Sequence, residues 1–456
     1  MIRSQQQTLA SCVFFLSTAT PLLSYASGFA LIENSASGQG NAFAGAAATA
    51  EDASTIYFNP AGMAKIDHQQ FTTAGHLVFP DAKFNNKNSS QSALVGGGPL
   101  TGDDSDGGQF AIVPNLYYLR PINSRITLGL GITSPFGLKT EYDDDWVGRY
   151  HGVTTDLKTV NVNPSISFKV NESFSLGAGL NAQYADVILT SAIDIGALCF
   201  AAVNPATCTA SGVTPQQADG FAELTGDNAS SITLGYNLGL LFEFNQATRI
   251  GLAYRSKMKH KVKGDADFTV PANANFLTAS GLFTDTDLKS TVTLPDSLSL
   301  SVLHRYNSQF AIMADATWTG WSKFEELRIK YDNPVQPDSV TTEDWNDSWR
   351  FSLGVHLRLN GPWLLRGGVA YDQTPVPDSR HRTPRIPGTD RTWVSAGLRY
   401  ATSDRWSVDV GYSHLFIDKT KINNTFESSV PTLAATVDGE YEAAVDILSA
   451  QLNWNF

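Results

Sequence analysis

The sequence predicts an all-β fold, a 14-stranded antiparallel transmembrane β-barrel that holds a small N-terminal plug, or hatch, in its lumen. Three observations predict this fold. Apolar residues alternate with small or polar ones along most of the chain, the connections sort into short turns and long loops, and the final strand ends in Phe456. We expect a signal peptide over 1–26, the plug over 27–66 and the barrel over 67–456.

The first 26 residues have the features of a secretory signal. Residues 9–23 are mostly apolar, and Ser24-Tyr25-Ala26 has the small-x-small pattern of a signal-peptidase site, which places cleavage after Ala26. A lipoprotein box ending in Cys12 is the alternative, but it precedes the apolar stretch instead of following it. Export favours a disulfide between the two remaining cysteines, Cys199 and Cys208, over a metal site, because no histidine or second cysteine pair lies nearby.

The plug is predicted from a segment that does not alternate. Residues 27–66 contain Gly38, Gly40, Gly45 and three consecutive alanines, 46–48, which permit close packing in a confined space. A barrel of this size encloses more room than its own side chains fill, so an inserted segment is expected. A periplasmic extension is the alternative.

The strands are predicted from a two-residue period. In residues 166–184 the apolar side chains occupy even positions and Ser, Gly, Asn or Lys the odd ones, on either side of a turn at 171–173. Six such hairpins, with a first strand near 71–79 and a last near 442–456, give 14 strands. The other five hairpins turn at 120–125, 245–248, 305–309, 360–362 and 401–405. Long polar loops are predicted at 81–108, 134–160, 186–230, 256–296, 319–348, 372–391 and 414–443.

The predicted fold implies where the protein resides. Short turns at one end and long loops at the other are typical of outer-membrane barrels, and no apolar run after the signal is long enough for a membrane-spanning helix. The terminal Phe456 resembles the signal that the barrel-assembly machinery recognises. We expect a monomer in the outer membrane of a Gram-negative bacterium, in contact with outer-membrane lipid and lipopolysaccharide. Aromatic residues beside the short turns, as expected for an interfacial girdle, are Phe174, Trp363, Tyr400 and Trp406.

Composition excludes several functions. The formal net charge of −12 argues against a nucleic-acid partner. No catalytic motif, cofactor loop or metal-ligand pattern is present in the sequence, so we expect no enzyme and no cofactor. Acidic runs at 103–106 and 143–145 are more typical of solvated loops than of divalent-cation sites.

Several segments follow one another in a fixed order and spacing along 28–456. They are Gly28-Phe29-Ala30-Leu31, Asn59-Pro60-Ala61, Ser134-Pro135-Phe136-Gly137-Leu138, Thr154-Thr155-Asp156-Leu157, 318–324, 372–377 and 385–393. In their order and spacing these segments resemble the FadL family of long-chain fatty acid transporters, and the resemblance covers essentially all of 28–456.

The resemblance implies a mechanism. A hydrophobic molecule would be captured among the outer loops, pass to a pocket beside the plug and leave sideways through the barrel wall. Asn59, Pro60 and Ala61 are the candidate gate in the plug. A kink in the third strand, at Gly129, Gly131 and Pro135, is the candidate lateral opening, although the glycines there could equally serve close packing against the plug.

The substrate is left open by the sequence. The inward-facing Arg255, Arg350, Arg366 and Arg399 are candidates to bind a carboxylate, but each could instead belong to a salt-bridge network in the lumen. The family is expected to have a basic residue after the strand that ends at Tyr184, where this chain has Ala185-Asp186, so a neutral aromatic hydrocarbon is an alternative substrate. Less favoured functions are a general porin for polar solutes and an outer-membrane lipase.

Overall fold

The computed structural model describes residues 28–456. The predicted signal peptide, its cleavage site after Ala26 and Cys12 lie outside the described residues. Within them, no helix is both long and apolar enough to cross a membrane.

The strands dominate the described chain. They are β1 Gln70–Asn86, β2 Ala111–Pro121, β3 Ile126–Thr133, β4 Gly137–Glu141, β5 Thr154–Lys169, β6 Phe174–Asp194, β7 Asp219–Asp227, β8 Thr233–Glu243, β9 Thr248–Arg255, β10 Met258–Thr269, β11 Thr286–Leu294, β12 Ser297–Arg305, β13 Phe310–Thr319, β14 Glu326–Tyr331, β15 Ser339–Thr342, β16 Ser348–Arg358, β17 Trp363–Asp372, β18 Arg391–Ala401, β19 Trp406–Ile417, β20 Thr420–Thr425 and β21 Thr436–Asn455.

These segments form one closed wall of 14 strands. Consecutive segments that continue a single wall strand are β3 with β4, β7 with β8, β9 with β10, β11 with β12, β13 with β14, β15 with β16, and β19 with β20. The wall closes where β1 pairs antiparallel with β21, from Gln70 opposite Asn455 to Asn86 opposite Gly439. Closure satisfies the backbone groups of both edge strands, each of which would cost several kcal/mol if left unpaired in lipid. The predicted fold class is confirmed.

The helices are short. The plug contains α1 Ala36–Gln39, α2 Ala46–Thr49, α3 Thr55–Phe58 and a 3-10 helix Pro60–Lys65, while the outer loops contain α4 Ile195–Ala202 and α5 Pro205–Ala210. Further 3-10 turns lie at Ala93–Val95, Ala229–Ser231, Ala272–Ser280, Trp321–Lys323 and Pro431–Leu433.

The wall has an apolar outer face and a polar inner face. In β21, Leu448 and Trp454 are exposed on the outside, while Ser449 and Asn453 are buried on the inside. The same alternation along each strand gives the band that faces lipid its Val, Leu, Ile and aromatic residues. At the short turns, the Trp363 and Tyr400 rings pack at a tilt with centroids 4.4 Å apart, and Trp406 stacks on Trp454 at 4.8 Å, consistent with an aromatic girdle.

The predicted long loops contain more strand than expected. Many strand segments lie in ranges where the sequence predicted polar loops. They are β4, β7, β10, β11, β14, β15 and β20, together with the outer parts of β1, β5, β6 and β21. Beyond the lipid the outer face of the barrel meets water, so its outward residues are polar. The apolar-polar contrast that marks a membrane strand is therefore lost there.

The plug packs against glycines of the wall. A β-carbon at Gly177 or Gly239 would overlap the backbone or side chain of Asn59-Pro60-Ala61, and one at Gly251 would overlap the carbonyl of Ala47. We call the inward-facing glycines whose added β-carbon would lie within 3.1 Å of a backbone atom of the plug the glycine belt. Its members are Gly177, Gly239, Gly251, Gly354, Gly368, Gly397 and Gly411, which lie on β6, β8, β9, β16, β17, β18 and β19.

Candidate functional site

Three cavities follow one another through the lumen. The outer cavity, of about 170 Å³, lies among the loops and is bordered by Tyr150, Phe283 and Leu433. The middle cavity, of about 100 Å³, lies deeper, and the lower cavity, of about 140 Å³, is bordered by plug residues including Tyr57 and Pro60. The outer and middle cavities share wall residues, so they adjoin. The shared residues are Leu189, Leu224, Leu327, Ile329, Glu343 and Arg385.

The middle cavity is apolar because of where its strands extend. Inward positions of the strand segments beyond the membrane carry aliphatic side chains, such as Leu157 on β5, Leu189 on β6 and Leu288 on β11. In the membrane the inward positions of these strands carry Asn and Ser instead, for example Asn161 and Ser165. The chain therefore places an apolar compartment above a polar, plug-filled lumen.

Phe29 separates the middle cavity from the lower one. Its ring lies in a box of aromatic side chains, 4.8 Å from Trp321, 5.8 Å from Phe324 and Trp345, and 6.2 Å from Phe136, measured between centroids. Phe29 borders the middle cavity, whereas the following residues, 30–33, border the lower one. Phe29, at the start of the described chain, thus lies between the middle cavity and the lower cavity.

Arg385 is a basic group that borders both the outer and the middle cavity. Its guanidinium donates to the carbonyl of Thr154 at 2.9 Å, the hydroxyl of Thr155 at 3.0 Å and the carbonyl of Thr190 at 2.9 Å. All three acceptors are neutral, and Arg385 forms no ion pair with a carboxylate of residues 28–456. Burial lowers the pKa of Arg385 to about 10, which leaves it charged at neutral pH.

Glu343 faces the same two cavities. It accepts a hydrogen bond from the indole Nε1 of Trp345 at 2.8 Å and is almost fully buried. Burial raises the pKa of Glu343 to about 8, and the Trp345 hydrogen bond offsets only part of that rise. At neutral pH this carboxyl is therefore largely protonated and does not neutralise Arg385.

Two of the four arginines proposed from the sequence border the lower cavity. Arg255 donates to the side chain of Asn181 at 2.8 Å and to the carbonyl of Tyr57 at 2.9 Å. Arg350 donates to the carbonyl of Ala42 at 2.9 Å, and its Nε and Nη1 have no hydrogen-bond partner among the described residues. Both remain candidates for a ligand in that cavity.

The other two arginines are engaged in a salt-bridge network with the plug. Arg366 contacts Asp409 at 2.6 Å and Glu51 at 2.8 Å, and Arg399 contacts Asp409 at 2.9 Å and Asp52 at 3.1 Å. Since Glu51 and Asp52 belong to the plug and Asp409 to β19, the network fastens the plug to the wall. These two guanidinium groups border none of the three cavities.

The candidate gate residues lie at the end of the plug nearest the short turns. The Asn59 amide donates to the carbonyls of Ala47 at 2.6 Å and Leu240 at 2.9 Å, and its oxygen accepts from the backbone of Ala61 at 3.0 Å. Pro60 borders the lower cavity. Asn59 thus joins two parts of the plug to wall strand β8.

The wall strand that contains Pro135 is interrupted. β3 ends at Thr133 and β4 begins at Gly137, and the pairing of β2 with β3 stops at Leu116 opposite Ile132 although β2 continues outward to Ala111. The plug hydrogen-bonds both sides of this break, from Leu31 to the Pro135 carbonyl at 2.9 Å and from the Asn115 amide to the Glu33 carbonyl at 2.9 Å.

The glycines of β3 face the plug. A β-carbon at Gly129 would lie 2.5 Å from the Met63 sulfur, and one at Gly131 would lie 3.3 Å from Ile56 Cγ2. These contacts are close packing against the plug, which is one of the two roles that the sequence left open for these glycines. Pro135, which borders the lower cavity, marks the break itself.

The outer loops are braced by a disulfide. Cys199 on α4 is bonded to Cys208 on α5, and both are fully buried in an apolar cluster with Ile195, Val213 and Leu277. The same cluster includes Ile193 and Leu433, which border the outer cavity, so the disulfide-linked helices pack beside that cavity.

Sequence reasoning missed Arg385 and Glu343 as site residues. Both lie outside the regular strands, so the two-residue period does not assign them to the lumen. The position of Arg385 at the start of a segment that resembles the FadL family was the one signal that pointed to it.

Comparisons with known proteins agree with this architecture. The family described as outer membrane protein transport protein (OMPP1/FadL/TodX) matches residues 17–456. The long-chain fatty acid transport protein of Salmonella typhi is 34% identical over 426 residues, which cover 92% of this chain and 93% of that protein.

Solved structures share the fold. The crystal structure of a Pseudomonas aeruginosa FadL homologue aligns with a TM-score of 0.84 at 25% identity, over 94% of this chain and 100% of that one. The crystal structure of the Pseudomonas putida toluene transporter TodX aligns with a TM-score of 0.68 at 16% identity, over 94% of this chain and 100% of that one, which is a likeness of fold alone.

Proposed function

Because the chain belongs to the family of outer membrane transport proteins that includes FadL and TodX, we propose that it carries long-chain fatty acids or similar hydrophobic molecules across the outer membrane of a Gram-negative bacterium. Members of this family are transporters and not enzymes. We further propose that the barrel-assembly machinery inserts the chain through its terminal strand and that it works as a monomer.

The proposed route follows the three cavities. The ligand enters the outer cavity, passes into the apolar middle cavity and reaches the lower cavity when Phe29 and the plug move. An apolar chain gains about 0.8 kcal/mol for each CH₂ group that leaves water, so adjoining apolar compartments favour it over a water-filled pore. Release would occur sideways through the break at Pro135, because Pro135 and Phe136 border the lower cavity.

Arg385 is the observation that supports an acidic ligand. A charged guanidinium beside an apolar cavity, with only neutral hydrogen-bond acceptors, is suited to pair with a carboxylate whose alkyl chain occupies that cavity. The protonated Glu343 beside it would donate a hydrogen bond to the same carboxylate instead of repelling it.

Replacing Arg385 by Met tests this proposal. We expect oleate uptake by cells of a transporter-null host that express the variant to lose about tenfold to a hundredfold in apparent affinity, the worth of one charge-assisted hydrogen-bonded pair. Arg380→Gln, an exposed arginine in the same loop, is the matched control and should transport normally. Equal oleate uptake by Arg385→Met and the unmodified protein would exclude Arg385 as the carboxylate partner.

A neutral aromatic hydrocarbon is the second candidate substrate. It is favoured by Ala185-Asp186, which offers no basic group where the family is expected to have one. Toluene uptake measured in the same cells distinguishes the two. A fatty acid transporter should lose oleate uptake, but not toluene uptake, when Arg385 is replaced.

The gate proposal is tested at Asn59. We expect Asn59→Ala to lower oleate uptake severalfold, because it removes the hydrogen bonds to Ala47 and Leu240 that position the plug turn. A deletion of 59–61 should abolish oleate uptake, although the barrel should still assemble in the membrane. Uptake that is unchanged by the deletion would refute a role for this turn.

A further inference from the structure

A row of lysines lies on the outer surface of the barrel. Lys257, Lys259, Lys261 and Lys263 are all exposed, while the intervening Met258, His260 and Val262 are buried towards the lumen. Because successive residues of an extended chain point to opposite faces, Lys257, just before β10, and the three lysines of β10 form a single line of about 20 Å. We call these four residues the lysine row.

The row begins where the lipid-facing band ends. On the adjoining strands, the outward side chains nearer the short turns are apolar, among them Tyr236 and Leu298. The short turn that precedes β9, at 244–247, lies at the opposite end, so the row is on the side of the long outer loops. Further out on the same face Asp265 and Asp267 are exposed, so the sign of the charge reverses beyond Lys263. The row therefore starts at the outer edge of the lipid-facing band, where the outer-leaflet headgroups lie, and extends outward from it.

The row is not neutralised by ion pairs. None of its four ammonium groups forms an ion pair with a carboxylate of the described residues, although Asp227 lies opposite Lys263 on β7. The neighbouring Lys289, opposite Lys263 on β11, pairs with Asp332 at 2.7 Å. Like charges on one strand face repel, and the chain as a whole has a net charge of −12. An unpaired cationic row on an acidic protein is therefore a cost to folding that an external anion would remove.

The strand next to the row adds hydrogen-bond donors. Thr293 lies opposite Lys259 and Thr291 opposite Lys261 on β11, on the same outward face. Ammonium and hydroxyl groups together are suited to the oxygens of a phosphate. A basic cluster at a membrane surface binds anionic headgroups with about 1 kcal/mol for each lysine.

We propose that the lysine row binds the phosphate groups of lipopolysaccharide in the outer leaflet. The acyl chains of the lipopolysaccharide would lie on the apolar band below the row. Its phosphates would pair with neighbouring lysines, which would take the place of the divalent cations that otherwise neutralise those phosphates. The site is independent of the lumen and of the transported molecule.

The test compares lipid binding by the full barrel and two matched variants. In the row variant Lys257, Lys259, Lys261 and Lys263 are all replaced by Gln. In the control, four other exposed lysines, Lys83, Lys87, Lys419 and Lys421, are replaced by Gln, which changes the net charge equally. Purified proteins in detergent are titrated with bisphosphorylated lipid A and with chemically dephosphorylated lipid A, and bound lipid is counted by native mass spectrometry.

We expect the row variant to bind bisphosphorylated lipid A at least about tenfold more weakly than the unmodified protein, with the control variant unchanged. Replacing the four lysines by Arg should preserve binding, which separates loss of charge from loss of fold. Oleate uptake by the row variant should be normal, so this result is independent of the transport proposal. Equal lipid A binding by the row variant, or equal binding of the dephosphorylated lipid by the unmodified protein, would overturn the assignment.

Discussion

Single side chains of the upper compartments contribute to how stability depends on pH. Burial raises the pKa of Glu343 to about 8, whereas in the unfolded chain this carboxyl has its ordinary value of 4.5. Between these two values the folded state binds more protons than the unfolded state, so this group makes stability fall as pH rises.

We therefore expect the urea midpoint of the detergent-solubilised barrel, followed by tryptophan fluorescence, to fall from pH 5 to pH 9. Glu343→Gln should reduce this slope, because a neutral amide cannot lose a proton. Asp194, whose pKa is raised to about 6 by burial, acts in the same direction and leaves a residual slope at the acid end. Glu325→Gln, an exposed carboxyl nearby in sequence, is the control. Identical slopes for Glu343→Gln and the unmodified protein would show that the Glu343 carboxyl is ionised in the fold.

Strands and plug helices fit each other through the glycine belt. We expect Gly239→Val to displace the Asn59-Pro60-Ala61 turn and to make the plug accessible to protease, because any β-carbon there overlaps Asn59. Gly75→Ala is the matched control, since no atom lies within 4 Å of its added carbon. Limited proteolysis of membranes that contain either variant measures the effect. Protection of the plug in Gly239→Val equal to that in Gly75→Ala would contradict the role given to the belt.

The same elements show how far the sequence can predict the fold. Strands such as β16 and β17 contact lipid on one face and the plug on the other, so their side chains alternate and they were predicted correctly. β10 and β20 project into water and lack an apolar outer face, so they resembled loops. The two-residue alternation along a strand was enough to assign arginines such as Arg366 to the lumen, but it could not predict which residues they contact. Arg366 meets Glu51 only because the plug folds back across the chain, and Arg385 reaches the lumen from a loop without any period.

At the scale of the whole molecule, the plug occupies the lumen of the described barrel, which closes between β1 and β21, and Phe29 lies between two cavities. Phe29 and the plug separate the lower cavity from the middle one, so we expect no steady ion conductance when the protein is reconstituted in planar bilayers. Deleting 28–66 from the mature chain should open a pore of fixed conductance, because these residues fill the lumen of a wall that closes through β1 and β21. Steady conductance of the intact protein would instead favour the general porin.

The seam between β1 and β21 has a consequence for biogenesis. The plug contacts late strands as well as early ones, and the Ala36 amide donates to Gln451, almost at the carboxyl terminus, at 2.9 Å. The lumen that holds the plug is therefore incomplete until β21 is in place. After β21 has paired with β1, the wall surrounds the plug on all sides. The plug and the wall must therefore fold together. A chain truncated before β21 would have a plug but no closed wall to hold it.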